Sequence, residues 1–291
     1  MSNHIDPVKL DRLAEVAVRT GVNLQPGQDL VITAPMAALE LVRLITVHAY
    51  KAGGGIVTPF FNDDAITLAR YEHAPDESFD RAPNWFFEVL AAAFKGGAAR
   101  MAITGDDPML LAEQDPTKVA RLSKANSIAA KPAMNPIVGF EVNWNIVAYP
   151  GAAWASRVFP DLPVDEAQGK LMDAIYAASR LEGDDPVANW TTHTATLKER
   201  VNWLNAQNFS ALHYTGPGTD LHLGLADGHI WKGGASPALN GVVCQPNIPT
   251  EEVFTCPHAY KVDGIVAATK PLAHQGSVIE DIAVRFEAGR I

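Results

Sequence analysis

Six of the nine histidines in this 291-residue sequence lie at or beyond His193, at His193, His213, His222, His229, His258 and His274. On an extended strand, Asp220 and His222 project to one face, while Leu221, Leu223 and Leu225 project to the other. A carboxylate and an imidazole on one face could bind a metal or simply hydrogen-bond at a surface. Their spacing alone favours the surface. Asp227-Gly228-His229 reads as a hairpin turn rather than a ligand set. The densest candidate is the run Pro246-Asn247-Ile248-Pro249-Thr250-Glu251-Glu252-Val253-Phe254-Thr255-Cys256-Pro257. Neighbouring strand residues face opposite ways, so only one of Glu251 and Glu252 can look into a site. On residue chemistry alone, both read as solvated edge charges. Cys244 and Cys256 read as small apolar fillers, and two cysteines make neither a disulfide framework nor a Cys-rich zinc site.

The common phosphate and nucleophile fingerprints are missing. No G-x-G-x-x-G follows a strand and opens a helix, and Gly53-Gly54-Gly55 sits after a helix and before a strand. G-x-x-x-x-G-K-[ST], H-E-x-x-H and G-x-S-x-G do not occur. Nothing therefore points to a nucleotide site.

The elements that must position these groups fall into two patterns. Leu10, Leu13, Val16 and Ala17 recur at helical spacing after Asp6 as N-cap and Pro7 as first helical residue, with Gly21 as the stop. Further helices are expected over 37–52, 85–95, 116–130, 164–182 and 186–206. Short apolar strands are expected over 29–33, 56–61, 100–104 and 145–149, with Pro59 pushing the second towards its end or towards a sheet edge. Such alternation predicts an α/β N-terminal domain with a mostly parallel, doubly wound sheet, over residues 1–185. From about 209 the periodicity becomes two, with strand patterns near 211, 221, 229, 252, 262 and 282 and turns at Gly216-Pro217-Gly218, Asp227-Gly228 and Gly233-Gly234. Residues 186–291 thus read as the beginning of an α+β, β-rich domain. It is expected to be incomplete, because Ile282–Phe286 runs into a turn signal, Glu287-Ala288-Gly289, just before Ile291.

The charge balance narrows the function classes. Thirty-three acidic and 23 basic residues leave a net charge of −10, and 47% of residues are hydrophobic. An acidic chain without a Lys/Arg run is a poor partner for nucleic acid or anionic lipid. No stretch approaches 18 apolar residues and no secretory leader is visible at Met1–Pro7. The default expectation is a cytoplasmic protein.

Four stretches together resemble the thermophilic metallo-aminopeptidases of the aminopeptidase T and aminopeptidase S type: Asp80–Trp85, Gly216–Leu221, Gly228–Ala235 and, most specifically, Pro246–Thr255. The resemblance runs from the first helix to the last residue. It implies a homodimeric, metal-dependent exopeptidase that removes N-terminal residues from peptides, with an α/β domain preceding the catalytic domain. It also implies two divalent metal ions (Zn, Co or Mg/Mn) that activate a water, held by Glu, His and Asp ligands. One ligand, the second Glu of the Asn-x-Pro-Thr-Glu-Glu-Val stretch, falls on Glu252. The other ligands and the catalytic groups are expected beyond residue 291, so the chain alone is expected to bind catalytic metal poorly. The competing expectation is a non-catalytic binding or assembly protein that has lost the metal site.

Overall fold

The computed structural model describes residues 5–291. Met1–His4, on which part of the leader reading rests, lie outside the described residues. The helices are α1 Pro7–Val16, α2 Leu39–Lys51, α3 Asp64–His73, α4 Asn84–Lys95, α5 Pro116–Val138, α6 Ala152–Val158, α7 Val164–Ala178 and α8 Pro186–Gln207. The strands are β1 Leu30–Pro35, β2 Val57–Asn62, β3 Ala99–Thr104, β4 Trp144–Ala148, β5 Ala211–Gly216, β6 Thr219–Leu225 and β7 Lys232–Gly233. They continue with β8 Ser236–Pro237, β9 Val243–Cys244, β10 Asn247–Ile248, β11 Val253–Phe254, β12 Pro257–Ala267, β13 Leu272–His274, β14 Ser277–Ile279 and β15 Ala283–Phe286.

The chain divides into two compact units. The first comprises 1–191 with 235–250, and the second 192–234 with 251–291. The boundary read from the sequence, at 185/186, had assigned 235–250 to the later part. Those residues return to the first unit because its sheet has an open edge to fill.

That sheet is parallel throughout, in the order β2-β1-β3-β4-β10. This is the doubly wound order in which the chain leaves the first strand in one direction and later crosses to the other. Leu30, Ile32, Ala34, Met101, Ile103 and Val147 face a core built with α1, α2 and α7. Val31 faces the other layer, with Leu90 and Phe94 of α4 and Ala133 and Ile137 of α5. Burial on both faces explains why β1 is a continuous apolar run rather than an alternating one. β2 lies at the edge, and Pro59 sits within it opposite Ile32.

Two helices outrun their sequence signals. α5 continues past 130 to Val138 through Pro132 and Pro136. An internal proline costs about 3 kcal/mol, but Ala133, Pro136 and Ile137 are buried, which offsets it. α1 does not stop at Gly21 but continues as a π-helical segment, Ala17–Val22, until Asn23 turns left-handed at φ 48°. Two helices were not anticipated at all, α3 and α6. α3 is short, with Tyr71 its buried side chain, so its apolar periodicity is weak.

The second unit contains the C-terminal part of α8 and an antiparallel sheet of order β15-β12-β6-β5, with the small pairs β7/β11 and β13/β14. The expected strand near 229 is instead a turn leading to β7. The expected turn near the end is present: Glu287 bridges Arg290 across Ala288 (φ 50°) and Gly289 (φ 79°). Among the described residues, no helix is long and apolar enough to cross a membrane.

Gly21 matters for packing rather than for stopping a helix. A Cβ placed there would lie 2.6 Å from Asn145 Cγ on β4. Asn145 is fully buried and donates through Nδ2 to the Gln245 carbonyl at 2.7 Å. Gly21→Ala is therefore expected to cost about 1–3 kcal/mol by overpacking. Denaturant unfolding of Gly21→Ala, Asn145→Ala and the double variant checks this: the double variant should lose less than the sum, because the clash disappears with the amide. Strict additivity would show that the alanine is accommodated without touching Asn145.

Candidate functional site

The Pro246–Thr255 stretch is built from two short ladders with the carboxylates between them. Asn247 and Ile248 pair with Ile146 and Val147 as the last strand of the parallel sheet. Val253 and Phe254 pair antiparallel with Gly233 and Lys232. The strand expected to contain both glutamates begins only at Val253, so Glu251 and Glu252 precede the ladder and strand alternation does not set their directions. Their separation comes from neighbours instead. Glu251 Oε2 lies 3.8 Å from His193 Nε2 on α8. Glu252 is exposed, and among the described residues no hydrogen bond or ion pair engages its carboxylate.

The backbone at Glu252 is held closely. A Cβ on Gly233 would stand 2.6 Å from the Glu252 carbonyl oxygen and 2.8 Å from Val253 Cγ1, so only glycine lets the two segments approach. Val253 lines an apolar cavity of about 350 Å³ with Trp203 and Leu204 of α8. Asn205 grips the backbone of Trp231 at both ends, accepting from its N–H at 2.8 Å and donating to its carbonyl at 3.1 Å. Thr255 Oγ1 donates to the Ile230 carbonyl at 3.0 Å. Thus Ile230–Gly233 and Val253–Thr255, parts of two stretches that carry the family resemblance, brace each other.

A second group of metal-ligating side chains stands on the β5–β6 hairpin. The sequence pattern paired Asp220 with His222; the structure adds His213. Cross-strand register places His213 opposite His222, with ring centroids 3.8 Å apart and planes 13° from parallel. His213 Nε2 lies 2.7 Å from Asp220 Oδ1. That hydrogen bond holds the Asp220 carboxyl below the usual carboxylate range, with the two imidazoles adding to the effect. Potential ligand atoms of all three residues lie within 4.8 Å of one another.

The remaining candidates are placed apart from these. His229 follows the Asp227-Gly228 turn, as its sequence implied, with Nδ1 3.0 Å from the Ala226 carbonyl. His258 Nδ1 accepts from the Tyr260 N–H at 3.1 Å. His274 ends β13. Cys244 is a buried filler whose thiol is pushed up by burial, but Cys256 is exposed and fills nothing. Asp80–Trp85, the N-terminal resembling stretch, forms the corner that leads into α4 and includes that helix's first two residues. There Arg121 spans Asp76 and Asp80 at 2.9 and 2.6 Å.

Comparison with known proteins accounts for the shared stretches. A family profile described as thermophilic metalloprotease (M29) matches residues 7–291. Aminopeptidase T of Thermus thermophilus is 47% identical over 280 residues, which are 96% of this chain and 69% of that protein. Aminopeptidase 2 of Geobacillus stearothermophilus is 40% identical over 283 residues, covering 97% of this chain and 68% of its own length. The solved structure of wild-type AmpT from Thermus thermophilus superposes with a TM-score of 0.91 at 46% identity, over 97% of this chain and 69% of that one. Divalent metal is implied by the family itself. The chain belongs to the thermophilic metalloprotease (M29) family and is, by that membership, a metalloexopeptidase.

Proposed function

We propose that this chain serves a cytoplasmic, homodimeric aminopeptidase that hydrolyses N-terminal residues from short peptides, and that Glu252 is one ligand of a pair of divalent metal ions. The observation that carries the reading is the state of Glu252. Its carboxylate lies in the most specific family stretch, is exposed, and has no protein partner among the described residues. A carboxylate oxygen suits hard and borderline divalent ions alike. Glu251 serves differently, because His193 stands beside its carboxylate. Gly233 and Val253 fix the backbone from which Glu252 projects.

When bound, such ions supply a water activated at neutral pH and polarise the scissile carbonyl. This chain's own part is to hold the anionic oxygen of Glu252 on a backbone braced by β7 and α8. One carboxylate falls short of the four or more donors each ion needs. We assign the remaining ligands, and the catalytic groups, to the part of the relatives' length that this chain does not match. The α/β unit is then scaffold, and the second unit, 192–234 with 251–291, belongs to the metallopeptidase domain.

Hydrolysis of Leu-p-nitroanilide by the product of the natural reading frame is expected to require Co²⁺ or Zn²⁺ and to stop on addition of a chelator. Metal-independent turnover would overturn the mechanism, and absence of turnover from a folded product would favour a binding protein. In the same assay Glu252→Gln is expected to lower kcat/KM by more than about 100-fold through loss of a direct ligand, and Glu251→Gln by less than about tenfold. Equal losses would remove Glu252 from its assigned role.

A further inference from the structure

We propose that His213, Asp220 and His222 form a binding site for one borderline divalent cation of the Zn²⁺ kind, which ties the edge strand β5 to β6. The site shares no residue with the Pro246–Thr255 stretch, although Asp220 lies in the Gly216–Leu221 stretch that also resembles the family, and it does not depend on the role given to Glu252.

The geometry is fixed by the hairpin. Gly216 pairs with Thr219 across the turn, and each step back from it brings facing residues together: Thr215 with Asp220, Tyr214 with Leu221, His213 with His222. Because side chains alternate along a strand, Asp220 and His222 share the face that His213 also presents. Leu221 and Leu225 on the opposite face are buried, which prevents the hairpin from slipping by one residue. β12 closes behind Asp220 at Gly264, whose φ of 124° and lack of a Cβ avoid a collision with the Asp220 carbonyl. Two stacked imidazoles and a carboxylate therefore stand on a backbone held from both sides.

The donor set is selective. Zinc binds imidazole nitrogen at about 2.0–2.1 Å and carboxylate oxygen at about 2.0–2.2 Å, so three donors around one ion lie roughly 3–4 Å apart. The three groups already lie within 4.8 Å, and rotating the imidazoles out of their stack turns their lone pairs onto one ion. Two imidazoles favour Zn²⁺, Co²⁺, Ni²⁺ and Cu²⁺ over Mg²⁺ and Ca²⁺, which prefer all-oxygen shells. Exposure of all three residues leaves the other coordination positions to water. Binding replaces the His213–Asp220 hydrogen bond, and any proton on a coordinating nitrogen leaves to solvent, while each imidazole keeps the N–H on its other nitrogen.

Neighbouring charged groups have other partners. Asp263, opposite His222 on β12, accepts from the Ala288 N–H at 2.8 Å. Arg285 Nε donates to Glu287 at 3.1 Å, and Lys261 Nζ lies 3.9 Å from Asp227. An edge strand presents unpaired backbone to other chains. A cation spanning β5 and β6 would oppose its fraying.

Calorimetric titration of the metal-free chain with Zn²⁺, and separately with Mg²⁺, tests the proposal. One equivalent of Zn²⁺ and no Mg²⁺ is the expected result. His222→Gln and Asp220→Asn should each weaken Zn²⁺ binding at least about tenfold with circular dichroism unchanged. Glu252→Gln should leave this binding as it was. Absence of Zn²⁺ uptake, uptake indifferent to both hairpin substitutions, or uptake removed by Glu252→Gln would each overturn it. Should the variants unfold, Ni²⁺ titration of the unaltered chain followed by proton NMR decides: selective broadening of two histidine ring systems supports the site, and broadening elsewhere refutes it.

Discussion

The outer edge of β4 must find hydrogen-bond partners, and the way it does so organises the later half of the first unit. Ile146 donates to the Pro246 carbonyl and Gln245 to the Gly21 carbonyl, both at 2.7 Å, and the buried Asn145 amide holds the Gln245 carbonyl at the same distance. Asn23 adds a bond to the Val243 carbonyl at 2.8 Å. Two of these contacts seat residues 245–246 on the edge of β4, and the other two tie residues 243 and 245 to the C-terminal end of the first helix at Gly21 and Asn23. The alternative is an exposed row of backbone donors and acceptors in a sheet whose faces are both buried. Asn145 also explains why Gly21 cannot bear a side chain, so the π-helical end of α1 and the returning segment are parts of one packing solution.

That same return delivers the family's most specific stretch. Residues 247 and 248 are committed to the parallel sheet, and residues 253 and 254 to Gly233 and Lys232 of the second unit. The four residues between carry no ladder bonds, which frees their side chains from strand alternation. Glu251 and Glu252 are therefore not two faces of a strand but two positions in a connector, distinguished by their neighbours. His193 stands by one carboxylate, and the backbone of the other is clamped against a glycine.

The doubly wound sheet was legible because buried parallel strands leave an unmistakable record: Leu30-Val31-Ile32 is apolar in every position, as burial on both faces demands. Pro59, which lacks a donor, left a strand end or a sheet edge open for β2, and the structure takes the edge. Helix ends were harder. Burial of Pro136, and of Ala133 next to the exposed Pro132, overrides an intrinsic preference to stop, and no local signal records that. β10 was illegible, since two residues with no periodicity can join a sheet about a hundred positions away only because β4 has a free edge. Glu252 was singled out by resemblance rather than by its own chemistry, which read it as a solvated charge. His213 was missed although the information was present. The Gly216-Pro217-Gly218 turn fixes the hairpin register, and counting outward from it pairs His213 with His222.

The two groups of candidate ligands differ in what their environments permit. A carboxylate that is to serve a metal gains from having no competing partner, since any contact formed in the free protein must be broken on binding. Among the described residues none engages the Glu252 carboxylate, while His193 stands beside that of Glu251. The hairpin group obeys the opposite logic. Its members hold one another by a hydrogen bond and a ring stack, so their geometry persists without an ion at little cost in desolvation, because all three are exposed. Preorganisation there comes from strand register, which a buried leucine face enforces, and at Glu252 it comes from a backbone approach that only glycine permits. In both cases the candidate ligand is positioned by a residue that contributes no ligand atom, and substitutions at Leu221 or Gly233 would move the candidates before any of them was touched.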